Sequence, residues 1–177
     1  MNLEHNLKKE LWVDGLKFLG KGLTSLVFED GDRVRGVTTC ELKPVWMEFN
    51  KEKFGYEIIS VEKCTLNTSR FFFKDEVEQG VAVTYNMDRF EELSFEDRLN
   101  FGIDKLLLEI VYIKVKYLQC NVLHVEEICE ELNEFPELVN LMMDIPKCFN
   151  SNVRLDIHND QFMKDCAGNL VLIDCVI

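Results

Sequence analysis

From Leu16 to Thr39 the chain carries short apolar, β-branched runs broken by Gly20, Gly22 and Asp30-Gly31-Asp32, which is hairpin punctuation. Three short antiparallel strands are predicted there, turning at the two glycines and again at Gly31, after a short amino-terminal helix ending near Trp12. Pro44 then opens Val45-Trp46-Met47-Glu48-Phe49, whose apolar density behind a first-turn proline predicts a helix to about Lys53. Tyr56 to Cys64, Arg70 to Phe73 and Val81 to Tyr85 alternate or run as strands, giving five or six strands with one helix inserted among them.

From Ser94 the period changes. Ser94 and Asp97 offer an amino-terminal cap, and Phe95, Leu99, Ile103, Leu106, Leu107, Ile110, Val111 and Leu118 recur at helical spacing, which predicts one long central helix. Two further helices are expected at Val125 to Leu132 and Pro136 to Ile145. The last segment, Val153 to Ile177, reads strand, loop, strand, turn at Gly168, strand. The fold class is therefore α+β: a β-rich half over about 1–86, then a helical half over about 87–177 that ends in a hairpin carrying a loop.

Composition sharpens this without changing it. A chain of 177 residues that is 47% hydrophobic, with 13 Phe, has enough apolar material for one buried core and is far from disorder. Lys+Arg 20 against Asp+Glu 32 gives a net charge of -12, which argues against a nucleic-acid-binding surface, because phosphate backbones are held by basic stripes. No apolar run approaches the roughly 20 residues that span a bilayer, and Met1 to Glu10 lacks the apolar centre of a signal peptide, so a cytoplasmic protein without membrane attachment is expected. The seven cysteines are scattered without a Cys-x-x-Cys pair; Cys120 and His124 lie one helical turn apart, and two ligands make a poor zinc site. Reduced, mostly buried cysteines are expected.

Two local motifs carry the candidate chemistry. Phe18-Leu19-Gly20-Lys21-Gly22-Leu23-Thr24-Ser25-Leu26-Val27 is a Gly-x-Gly-x-x-Ser-x-Val run between two predicted strands, where glycines let a backbone approach phosphates closely; an ordinary glycine turn is the plainer reading. Near the other end stand Asp156-Ile157-His158-Asn159-Asp160-Gln161 and then Gly168-Asn169-Leu170-Val171-Leu172-Ile173-Asp174. An Asp on a loop, an amide five residues on, and a second Asp at the end of an apolar strand can present oxygens to a magnesium-phosphate group. A surface hairpin with a polar loop is the alternative.

In this order, around a helical half, the motifs resemble the protein kinase-like fold, over roughly Leu16 to Ile177. The likeness includes the inserted helix and a hinge-like Tyr85-Asn86-Met87 after the last strand of the first half. Within that superfamily, Gly15 to Gly22, Asp32-Arg33-Val34-Arg35-Gly36-Val37 and Asp156-Ile157-His158-Asn159 are similar to the early serine/threonine protein kinases of T-odd tailed phages. The Asp-x-His element is also similar to small-molecule kinases such as aminoglycoside phosphotransferases. The resemblance implies a minimal bilobal fold: a five-stranded antiparallel sheet with an inserted helix, then a helical lobe with a catalytic-loop hairpin. It implies ATP and Mg²⁺ as cofactors, with Gly20, Lys21, Gly22, Ser25 and Arg35 at the nucleotide, Asp156 and His158 in catalysis, and Gln161 and Asp174 at the metal. It implies a host protein as partner, of the transcription machinery in this phage group.

The chain departs from that pattern at defined residues. Gly36 stands where the family's third strand supplies a phosphate-binding Lys, so Arg35 could substitute only through a bulge, and Glu48 loses its expected partner. Gln161 replaces the metal-binding Asn, with Asn159 or Asp160 as neighbours able to compensate. Asp174-Cys175-Val176 replaces Asp-Phe-Gly, and with the chain ending at Ile177 no activation segment is expected. These departures keep a second reading open, a catalytically impaired pseudokinase that binds and inhibits a host protein through an acidic surface containing Glu126, Glu127, Glu130, Glu131, Glu134 and Glu137.

Overall fold

A computed structural model describes residues 15–21, 24–68, 76–116, 125–149 and 157–175. It divides into two compact units, one up to Arg89 and one from Phe90, three residues beyond the sequence-based boundary. The expected helix before Trp12 and the expected strand Arg70 to Phe73 lie outside the described residues, as do Gly22, Leu118, Cys120, His124 and Asp156.

The first unit is a five-stranded antiparallel sheet. Its strands are β1 (Lys17–Lys21), β2 (Ser25–Asp30), β3 (Arg33–Thr38), β4 (Glu57–Thr68) and β5 (Glu76–Asp88), in the order β1-β2-β3-β5-β4. Asp30 pairs with Arg33, so β2 and β3 are joined by a two-residue loop whose first member, Gly31, takes the left-handed φ of +65° that such hairpins demand. β4 and β5 run well beyond the expected Tyr56 to Cys64 and Val81 to Tyr85. The hinge expected at Tyr85-Asn86-Met87 is instead strand: these residues pair with Gly36, Arg35 and Val34 of β3.

Between β3 and β4 the predicted helix is present in two pieces, α1 (Lys43–Phe49) and α2 (Lys51–Phe54), parted at Asn50 and stopped at Gly55. Strand alternation sorts the sheet's side chains into two sets. Leu26, Phe28, Val37 and Ala82 are buried together on one face, with Leu16 against them. Ser25, Gly36, Thr38 and Tyr85 share the other, where Lys43 of α1 reaches Ser25 and Tyr56 packs on Tyr85 with ring centroids 5.5 Å apart.

The second unit opens with β6 (Glu91–Glu92), a strand without an apolar signature that is recognisable only by its partner: it pairs with β7 (Phe162–Lys164), which pairs with β8 (Leu170–Leu172). The single long helix expected from Ser94 is two. α3 (Phe95–Phe101) ends at Gly102, whose φ of +74° cannot continue a helix, and α4 (Ile103–Lys116) starts afresh. The break rotates the apolar stripe: Ile103, Leu106 and Ile110 are buried, while Phe95 and Leu99 are 65% and 52% exposed. The cap at Ser94 and Asp97 forms as expected. α5 (Val125–Glu131) and α6 (Pro136–Cys148) follow; Leu132, Leu138, Leu141, Met142 and Ile145 are buried there.

Among the cysteines whose side chains are described, Cys40, Cys129 and Cys175 are buried, Cys148 is partly so and Cys166 is exposed; these five are free thiols.

Candidate functional site

Candidate residues occur in both units. In the first, β1 is irregular between Phe18 and Gly20 before Gly20 pairs with Val27 and Lys21 with Leu26. Among the described residues nothing lies within 4 Å of where a side chain at Gly20 would sit, and its φ is not positive; the glycine stands at the irregularity of β1.

Ser25, the first residue of β2 after this loop, is buried within a directed chain of hydrogen bonds. Lys43 Nζ donates to Ser25 Oγ at 3.3 Å, Ser25 Oγ donates to Thr38 Oγ1 at 3.0 Å, and Thr38 Oγ1 donates to the Thr24 carbonyl at 3.3 Å. Sequence reading missed Lys43, which it placed just outside the helix. The available signal was a lysine directly before a first-turn proline in an apolar segment, where helices prefer acidic residues.

Gly36 and Arg35 sit differently from a phosphate-binding pair. A Cβ on Gly36 would lie 2.1 Å from Tyr85 Cζ, so the tyrosine ring fills the space that a side chain would use. β3 holds unbroken register with both neighbours, and the bulge that would turn Arg35 onto the Gly36 face is absent. Arg35 remains on the Phe28 face, donating to Asp30 Oδ2 at 2.5 Å and to Asn86 Oδ1 at 3.2 Å. Lys21 is exposed on β1. Glu48 is exposed and paired with Lys51 at 3.0 Å on the same helical surface.

In the second unit, His158 precedes a single 3-10 turn over Asn159–Gln161 that leads into β7. Gln161 is only 8% exposed. Its side-chain Oε1 accepts from the His158 N–H at 2.9 Å, and its backbone carbonyl accepts from the Ile173 N–H at 2.9 Å. That second bond sets Gln161 beside the end of the opposite hairpin arm, where Asp174 follows Ile173. Oxygen donors of this kind suit Mg²⁺, although one lone pair of the Gln161 side chain already serves His158. Asp160 is bonded to His158 Nδ1, and this partner lowers its carboxyl pKa from the ordinary value. Among the described residues no group of three or more His, Cys, Asp or Glu side chains is set to hold a metal ion.

The hairpin is braced from behind. Asp165 accepts from the Ala167 and Asn169 N–H groups at 2.9 and 2.8 Å, closing the turn with Gly168, and its carboxyl pKa is held down chiefly by the Asn169 side chain. Glu137 of α6 accepts from the Leu170 N–H at 2.7 Å, and Glu134 pairs with Lys105 of α4 at 2.6 Å. Two members of the acidic run therefore have structural duties, while Glu126, Glu130 and Glu131 are exposed.

Comparison with known proteins returns nothing: no protein-family model, no curated protein and no solved structure matches the chain.

Proposed function

We propose that the chain is an ATP- and Mg²⁺-dependent phosphotransferase of protein kinase-like architecture, acting on a Ser or Thr of a host protein. The observation that carries this reading is the hairpin bond from the Ile173 N–H to the Gln161 carbonyl, which brings the backbone of Gln161 beside the strand end that Asp174 follows; Asp156 stands five residues before Gln161 in the sequence. The strand order β1-β2-β3-β5-β4 with a helix between β3 and β4 supports it, as does Gly20 at the irregularity of β1, with open space among the described residues where a side chain would sit.

In this reading the Gly20 loop and Ser25 cover the nucleotide phosphates, Asp156 accepts the proton of the attacking hydroxyl, and His158 contacts the γ-phosphate. Gln161 and Asp174 would hold Mg²⁺, which neutralises charge on the transferring group when bound. The acceptor oxygen gains the phosphorus as the bond from phosphorus to the ADP oxygen breaks.

A second reading is favoured by the Tyr85 ring over Gly36: a pseudokinase that inhibits a host protein by binding it. Phosphate transfer from radiolabelled ATP to host-cell extract separates the two. Metal-dependent labelling that Asp156→Asn reduces by about a thousandfold or more is expected, since positioning and proton acceptance are lost together. Labelling that persists in the variant would falsify the role of Asp156, and no labelling by the wild type would favour the pseudokinase.

A further inference from the structure

We infer that Lys43 is the phosphate-binding cation of this site, supplied from the inserted helix to the sheet face on which Gly36 has no side chain. The inference rests on the phosphotransferase reading above and deepens it by naming the residue that meets the nucleotide's charge.

A triphosphate must be drawn to a chain of net charge -12, which requires a positive group held close to the phosphates. Three cations come into question. Arg35 is committed to Asp30 and Asn86 on the Phe28 face. Lys21 is exposed, with a long side chain that must lose its freedom on binding. Lys43 is 6% exposed, and its ammonium stands 3.3 Å from the hydroxyl of Ser25, the first residue of β2.

The surrounding bonds fit that task. The Ser25 hydroxyl donates to Thr38, and the Thr38 hydroxyl donates to the carbonyl of Thr24, so the lone pairs of Ser25 are turned toward Lys43. The ammonium is thereby held against β2 and β3, and a fixed charge stabilises a phosphate without reorganising. Ser25 and Thr38 lie on the same sheet face as Gly36, where Tyr85 bars a side chain growing from β3. A lysine entering from α1 reaches that face without displacing the ring. For stability alone a methionine of similar length would serve at residue 43, because burying an ammonium is costly.

The test is calorimetric titration of the full chain with MgATP and, separately, with adenosine, in the wild type and in Lys43→Met. Wild-type binding of MgATP is read first; its absence overturns both this inference and the phosphotransferase reading. Given binding, Lys43→Met is expected to weaken MgATP by about tenfold or more, the scale of one charge-assisted hydrogen bond, while adenosine affinity stays within about twofold. Unchanged MgATP affinity, or equal losses for both ligands, overturns the role of Lys43 and leaves the broader reading standing. Should Lys43→Met fail to fold by circular dichroism, Lys43→Gln, which keeps a hydrogen-bond donor for Ser25 and removes the charge, decides the matter. A selective loss of MgATP affinity supports the inference, and unchanged MgATP affinity or equal losses for both ligands overturn it.

Discussion

A methyl group at residue 36 would collide with a ring that has nowhere to go, because Tyr85 is itself buried against Tyr56. Gly36→Ala is therefore expected to lower the unfolding free energy by about 1–3 kcal/mol, the range for overpacking a filled core. Urea denaturation measures it, and an unchanged midpoint would mean that Tyr85 swings aside at no cost. From the sequence, Gly36 reads as a lysine lost; in the structure it is a space taken. The sequence signals the glycine but not its cause, because the cause is a residue on β5 brought opposite by register. Lys43 was hidden for the same reason. A lysine's preference is for solvent, and only the tertiary placement of Ser25 makes its burial intelligible.

At the scale of elements, the start of α3 shows local chemistry overriding a weak apolar pattern. Ser94 Oγ accepts from the Asp97 N–H at 3.0 Å, Asp97 accepts from the Ser94 N–H at 2.9 Å, and Lys164 of β7 donates to the same carboxylate at 2.9 Å. The Ser94 hydroxyl first, and Lys164 next, hold the Asp97 carboxyl at a pKa of about 2. Because that value is depressed on folding, the stability it brings is complete above the ordinary carboxylate range and is lost as pH falls toward 2. Melting temperature followed between pH 5 and pH 2 should fall less steeply in Asp97→Asn than in the wild type; parallel curves would show that the cap is not coupled to folding. This cap was legible because its residues are neighbours in sequence. The lengths of β4 and β5 were not, because their far ends are paired through polar segments such as Thr65 with Gln79, where no apolar alternation marks a strand. Gly102 was legible as a glycine but not as a helix break, since the apolar spacing continues across it.

For the whole molecule, the proposed phosphotransferase would set the acidic balance and Lys43 in opposition toward an anionic nucleotide. At about 10 mM salt the field of the chain extends roughly 30 Å and repels; at about 150 mM it is screened beyond roughly 8 Å. The association rate of MgATP, measured by stopped flow, is therefore expected to rise over that salt range. A fall would mean that the positive charge of Lys43 already governs the approach. The period of the apolar pattern changes near Ser94, the expected halves were about 1–86 and 87–177, and the two compact units part between Arg89 and Phe90. β6 escaped notice because two glutamates become a strand only when Lys164 and Met163 arrive opposite them. That dependence sets an order for synthesis. Every strand of the first sheet has its neighbours once Asp88 has left the ribosome, whereas Glu91 must wait for nearly the whole remaining chain. The second sheet closes the longer loop and is expected to be the slower, later event in folding.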